Sequence, residues 1–132
     1  MGAITDNNEL VVQVVAMPAN TNPNGHIFGG WVVSQMDIAG AVAAQSKAKH
    51  PVVTASINEM SFLSPVVVGD VVSCYARLVE AGKTSLQFVV DVYALSFGEP
   101  APRQVTSGLF VYVAIDQFGK PTPHHVVMPA SS

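Results

Sequence analysis

From residue 52 onward the apolar positions of this chain alternate with polar ones, and before that they do not. Val72, Cys74, Ala76 and Leu78 share one face against Val71, Ser73, Tyr75 and Arg77; Leu86, Phe88, Val90, Val92 and Ala94 oppose Gln87, Val89, Asp91 and Tyr93. Leu109, Val111, Val113 and Ile115 lie together on one face of the last such run. The pattern predicts strands over residues 52–62, 71–81, 85–97 and 105–116. Turns fall at Pro65 and Gly69-Asp70, at Gly82-Lys83-Thr84, and in the loop 98–103 with its two prolines. A valine-rich strand is also predicted at 10–17. Residues 18–30 hold three Asn, two Pro and three Gly, a loop of a length that is usually functional. Residues 31–47 then read as the one helix, stopped before Pro51. Its residues are apolar or small on nearly every side, which predicts a helix buried all round.

One strand, one helix and four strands in that order predict an α+β fold, an antiparallel sheet of about five strands wrapped around a long central helix. Gly40 and the alanines at 39, 41, 43 and 44 fit it, because small side chains let helix and sheet approach closely. No repeat or linker divides the 132 residues, which read as a single domain with tails at 1–9 and 117–132. Such a sheet has an open edge, and pairing it with a second copy is the usual remedy. Composition agrees: only 11% of the residues are charged, against about a quarter in ordinary domains. A surface so short of charge predicts large interfaces and a homo-oligomer.

The net charge of -3, with six scattered Lys and Arg, speaks against nucleic acid as a partner. The single Cys74 rules out an intrachain disulfide and a cysteine-based metal site, and its apolar strand face makes it a core residue. His124 and His125 have no further ligands nearby, so no metal is expected. The first residues do not resemble a signal peptide, and no apolar run approaches the ~20 residues of a membrane span. A cytoplasmic location is the simplest expectation.

Asp37 stands apart. It lies two turns into the predicted helix, too far along to be its N-cap, among apolar and small neighbours. Burying a carboxylate without a partner costs several kcal/mol, on the order of the whole margin of a small domain. A catalytic role is the first explanation.

The block Met17-Pro18, Thr21-Asn22, Asn24-Gly25, Ile27-Phe28-Gly29-Gly30-Trp31, Ser34-Gln35-Met36-Asp37 resembles the acyl-CoA thioesterases of the hotdog fold, in particular their YciA-like subgroup. The similarity continues through Met60, Phe62, Pro65, Val68-Gly69-Asp70-Val71-Val72, Cys74-Tyr75 and Thr84-Ser85, and resumes over 110–116. The resemblance implies a hotdog fold, assembly as dimers or trimers of dimers with sites at the subunit interface, and hydrolysis of acyl-CoA without metal or other cofactor. It places the catalytic carboxylate on Asp37. Members of the family often carry Asp or Asn where this chain has His26.

Thioester hydrolysis needs an activated water or a nucleophile, and donors for the developing oxyanion. Asp37 can fill the first role as general base or by direct attack. Backbone N–H groups near Gly29, Gly30 and Trp31, at the positive end of the helix, can fill the second. For His26 two readings stand, a solvated loop residue or a donor to the substrate carbonyl. For Asn24 they are a turn residue bonding the backbone, or a polar lining of the site. Lys83, Thr84 and Ser85 match a family segment near CoA, and Arg77 and Arg103 are further candidates for its phosphates. Gly69-Asp70 reads as a structural turn. Two other functions are weighed against hydrolysis: a hotdog dehydratase of 3-hydroxyacyl thioesters, pairing His26 with Asp37, and a non-catalytic acyl-CoA sensor.

Overall fold

The computed structural model describes residues 8–128. Five strands, β1 (Glu9–Val15), β2 (Val52–Phe62), β3 (Val71–Ala81), β4 (Ser85–Leu95) and β5 (Arg103–Ala114), form one antiparallel sheet in the order β1-β3-β4-β5-β2. One helix, α1 (Gly29–Ala48), lies against it and touches every strand. This is the predicted α+β architecture. The predicted tail at 1–9 ends one residue too late, because Glu9 already pairs with Ala76; residues 1–7 and 129–132 lie outside the described ones.

The core follows the alternation read from the sequence. Val72, Cys74, Ala76 and Leu78 of β3 and Leu86, Phe88, Val90, Val92 and Ala94 of β4 are buried against the helix. Burial pushes the Cys74 thiol up to about 12, so it serves as an apolar filler. On β5 the inward residues are Phe110, Tyr112 and Ala114, and the set Leu109, Val111 and Val113 is half-buried on the outer face. Both faces of that strand are apolar, so period alone does not choose. Pairing does: Phe110 sits opposite Phe88 and Tyr112 opposite Leu86, so they share the inner face.

α1 begins two residues earlier than predicted. Phe28 precedes it in extended conformation, and the helix ends at Lys49, whose left-handed backbone (φ 59°) lets its N–H close on the Gln45 carbonyl at 2.9 Å. Val32, Met36, Ala39, Gly40, Ala43, Ala44 and Ala48 form its buried face. The expectation of burial on every side fails within one chain: Ile38 and Val42 are 50% and 53% exposed on the opposite face. The sheet is a single layer and reaches only one side of the helix. The bare side of α1 adjoins the free edge strand β2, where Val53, Ile57 and Phe62 are exposed too. Among the described residues no helix is long and apolar enough to cross a membrane.

Gly40 sets how deep the helix sits. A Cβ there would lie 2.1 Å from the Tyr112 hydroxyl and 2.7 Å from two of its ring carbons. Tyr112 is fully buried and cannot swing away. Gly40→Ala is therefore expected to destabilise the fold by about 1–3 kcal/mol through overpacking, in spite of alanine's better helix propensity. Calorimetry checks this; an unchanged or raised melting temperature would mean that helix and sheet do not meet so closely.

The segment after β5, predicted as an aperiodic tail, is tied down. Ile115 pairs with Pro121, and the Thr122 N–H donates to the Ala114 carbonyl at 2.9 Å. The buried His124 bonds the Ser85 carbonyl through Nε2 at 2.8 Å and accepts the Val126 N–H at Nδ1, 2.9 Å. A nitrogen that accepts an amide fixes the other as the donor, so the ring is the neutral Nε2–H tautomer and acts as a clasp.

Candidate active site

The loop before α1 is organised by Asn22. Its Oδ1 accepts the N–H groups of Asn24 (2.9 Å) and His26 (3.1 Å), and its own N–H donates to the His26 carbonyl at 2.6 Å. The turn role considered for Asn24 thus belongs to Asn22; Asn24 is exposed beside Gly25, whose φ of 84° makes the bend. With Oδ1 taken twice, the Asn22 side chain has its amide nitrogen left to donate. Asn22, the exposed His26, Ile27 and Gly29 line one side of a groove of about 400 Å³, and Phe62 and Leu63 are on the other side.

Among the described residues the N–H groups of Gly29 and Gly30 have no partner, whereas the Trp31 N–H closes on the Phe28 carbonyl at 3.1 Å. Free, exposed amides at a helix start are poised to bind an anionic oxygen. A Cβ at Gly30 would meet nothing within 4 Å, so the approach to its amide is open. Trp31 is excluded as an amide donor; its half-buried side chain packs on the core.

Asp37 is half-exposed on the bare side of α1, and it has partners. Its Oδ1 accepts the Thr54 hydroxyl at 2.8 Å and the Tyr112 hydroxyl at 3.1 Å, and Tyr112 also reaches the Asp37 backbone carbonyl at 3.0 Å. The unpartnered buried carboxylate that the sequence suggested is corrected on both counts. The bare helix face exposes it, and β2 and β5 supply its donors. Burial first, and then the Asp37 charge, push ionisation of the Tyr112 phenol well above its ordinary range, so it stays a donor.

Gly30 and Asp37 are seven residues apart. They lie on one stripe of the helix with Ser34 between them, about 10 Å apart along the axis. His26 precedes that stripe and does not meet Asp37 within the chain. The Lys83-Thr84-Ser85 turn is farther still. Ser85 pairs with Val113, which pairs with Val53, while Gly29 lies by Phe62 at the other end of β2. Nine residues of strand put about 30 Å between those ends. Lys83 there is exposed in a groove of about 440 Å³ walled by residues 123–127. Thr84 and Ser85 spend their carbonyls on Ala114, Gly82 and His124.

Arg103 is corrected as a phosphate ligand. Its guanidinium bonds Asp70 (2.7 Å), Glu99 (2.8 Å), the Pro65 carbonyl (3.0 Å) and the Ser96 hydroxyl (3.1 Å). Asp70 is 1% exposed, the structural residue expected of that turn. Burial would raise its pKa, but the Ser96 hydroxyl, the Val67 N–H and Arg103 outweigh this and hold it below the ordinary value. Arg77 is half-buried on β3.

Sequence reading overlooked Asn22, Thr54 and Tyr112 as site residues. Asn22 carried a signal, the first of two Asn in an Asn-Pro-Asn-Gly turn. Thr54 and Tyr112 carried none before the strands were paired, since only register makes them neighbours.

The sequence profile of the thioesterase superfamily matches residues 24–100. The acyl-CoA thioester hydrolase YciA of Salmonella typhimurium is 50% identical over 122 residues, covering 90% of this chain and 92% of that protein. The solved hexameric thioesterase y2039 of Yersinia pestis is 46% identical with a TM-score of 0.85, covering 91% of this chain and 98% of its own. A hexameric hotdog-fold thioesterase of Campylobacter jejuni is 43% identical with a TM-score of 0.84, covering 91% and 92%. The sheet wrapped on one helix is the hotdog fold.

Proposed function

The chain belongs to the thioesterase superfamily, and from that premise we propose that it hydrolyses acyl-CoA to CoA and a carboxylic acid at sites built from two protomers. The observation that carries the two-protomer site is the separation of its halves. Base and oxyanion donors lie on one open helix stripe, about 10 Å apart along the axis, too far to act on one carbonyl group. A two-fold axis near Ser34 sets the Gly30 amide of each protomer beside Asp37 of the other. The same contact covers Ile38 and Val42 and gives the free edge of β2 a partner. The Yersinia and Campylobacter thioesterases named above are hexameric, and a trimer of such dimers is a hexamer.

In each site the thioester carbonyl oxygen points at the Gly29 and Gly30 amides, with the Asn22 side-chain amide as a further donor. Asp37 takes a proton from water as the water oxygen adds to the carbonyl carbon. Charge moves to the carbonyl oxygen, where the amides stabilise it. Collapse breaks the C–S bond, and the proton held on Asp37 goes to the departing thiolate. Direct attack by Asp37, through an anhydride that water then opens, gives the same products; single turnover in oxygen-18 water separates the two routes. His26 lines the entry groove. Lys83 is the exposed cation offered to the CoA phosphates.

The His26–Asp37 pairing that a dehydratase needs is not made in the chain. An acyl-CoA sensor would leave the free amides and the held carboxylate without a use.

Steady-state release of free thiol from a short-to-long acyl-CoA panel tests the activity. Subunit complementation tests the shared site. Gly30→Pro deletes one amide at a first-turn position where no hydrogen bond is lost. Alone, it and Asp37→Asn are expected to be nearly inactive. Co-assembled in equal amounts they should recover about a quarter of wild-type turnover, because half the dimers then hold one of two sites intact. No recovery would place each site within one chain.

A further inference from the structure

A carboxylate that reacts through one oxygen must be prevented from offering the other. Resting on the reading of Asp37 as the catalytic carboxylate, we propose that Thr54 and Tyr112 are positioning residues: they clamp Oδ1 and so commit Oδ2 to the reaction. A carboxylate oxygen has two lone-pair sites. On Oδ1 one accepts the Thr54 hydroxyl at 2.8 Å, and the other faces the Tyr112 hydroxyl at 3.1 Å, whose single proton is shared with the Asp37 backbone carbonyl at 3.0 Å. Among the described residues Oδ2 has no partner, and it alone is left for water or the substrate.

The clamp is built into the sheet. Thr54 and Tyr112 are register partners on β2 and β5, so their side chains rise together from adjacent strands toward the same helix residue. Tyr112 cannot drift: it is fully buried, stacks on Phe110 with centroids 6.3 Å apart and meets the Phe88 edge at 6.2 Å. Its hydroxyl reaches under the helix only because residue 40 is glycine. Solvation does not require this construction, since Asp37 is half-exposed and water can reach it. What two hydroxyls on one oxygen provide is a fixed carboxylate plane, the orientation a reacting group must hold through turnover.

The test is a mutant cycle read in kcat and KM separately. Thr54→Val and Tyr112→Phe keep shape and lose one hydroxyl each; Thr54→Ser keeps the hydroxyl. Thr54→Val and Tyr112→Phe are each expected to lower kcat by about tenfold with KM unchanged, and Thr54→Ser to stay within about threefold of wild type. Placed in an Asp37→Asn background, neither should lower kcat further, because the oxygen they orient no longer reacts. A role in folding alone would give similar losses in both backgrounds, and that result overturns the proposal. So does full kcat in Thr54→Val and Tyr112→Phe while Asp37→Asn collapses. Wild-type kcat in Asp37→Asn would instead remove the reading of Asp37 itself, and the clamp with it.

Discussion

Asp37→Asn should lower kcat by about 10²-fold or more at nearly unchanged KM, because it removes a group that acts only in the transition state. The amide keeps the size of the carboxylate, and its oxygen still accepts the Thr54 and Tyr112 hydroxyls that now meet Oδ1. Helix packing is untouched, since the side chain lies on the bare face of α1 and not among the residues buried against the sheet. What is lost is the ability to take up a proton or attack a carbonyl carbon. The free amides of Gly29 and Gly30 remain, so residual turnover above the uncatalysed rate is also expected. The measurement is thiol release from the best substrate of the acyl-CoA panel, with substrate binding followed separately. Equal kcat in mutant and wild type would eliminate Asp37 as base and as nucleophile. A raised KM with kcat intact would make it a binding residue.

The second large effect concerns stability. Arg103→Met keeps the length of the side chain and strands the carboxylate of Asp70, which is 1% exposed and bonded to Arg103 at 2.7 Å. Removing one member of a buried ion pair costs about 3–5 kcal/mol, and the lower end applies here because Asp70 loses its cationic partner but keeps the Ser96 and Val67 bonds. The pH dependence separates this from a simple packing defect. In the native protein Asp70 is held below the ordinary aspartate value of 3.8. A depressed carboxylate contributes stability that is fully present above that value and is lost as pH falls through its folded value. In the variant Asp70 keeps the Ser96 and Val67 bonds but loses Arg103, so its carboxyl titrates higher than in the native protein and acid relieves part of the loss. The deficit should be widest near neutrality and should narrow toward pH 4. Urea unfolding at fixed protein concentration, repeated across that range, gives the answer. A deficit independent of pH would mean that Asp70 and Arg103 do not stabilise one another.

Strand signals are local: the bounds read from the chain fall within two residues of all five observed strands, and alternation names the inward face where only one face is apolar. It failed at β5, where Leu109, Val111 and Val113 looked as fit for the core as Phe110 and Tyr112, because both faces of that strand are apolar. Gly40 was legible as a close-approach residue; the atom it makes room for was not, because Tyr112 lies 72 residues away and meets it only through the fold. Asp37 was found for a reason that did not survive. The sequence shows which neighbours a residue has on its helix, but not that one face of that helix is left bare by its own chain. Arg103 shows the reverse limit: a lone cation in a loop reads as free until the buried Asp70 that claims it is placed. Asn22 and Asn24 differ by two positions, and only the hydrogen bonds of the folded loop say which of them makes the turn.

In the two-protomer site proposed above, donor and base sit two turns apart on one strip of helix, so a newly made chain would carry both halves of the chemistry and could run neither. It gains them on meeting a second chain, in the same contact that covers its exposed isoleucine and valine. On that proposal, orphaned or truncated copies are expected to be silent toward acyl-CoA. Any inherited change along Gly30, Ser34 and Asp37 is then screened for assembly and for turnover at once, which leaves that short strip little freedom to drift.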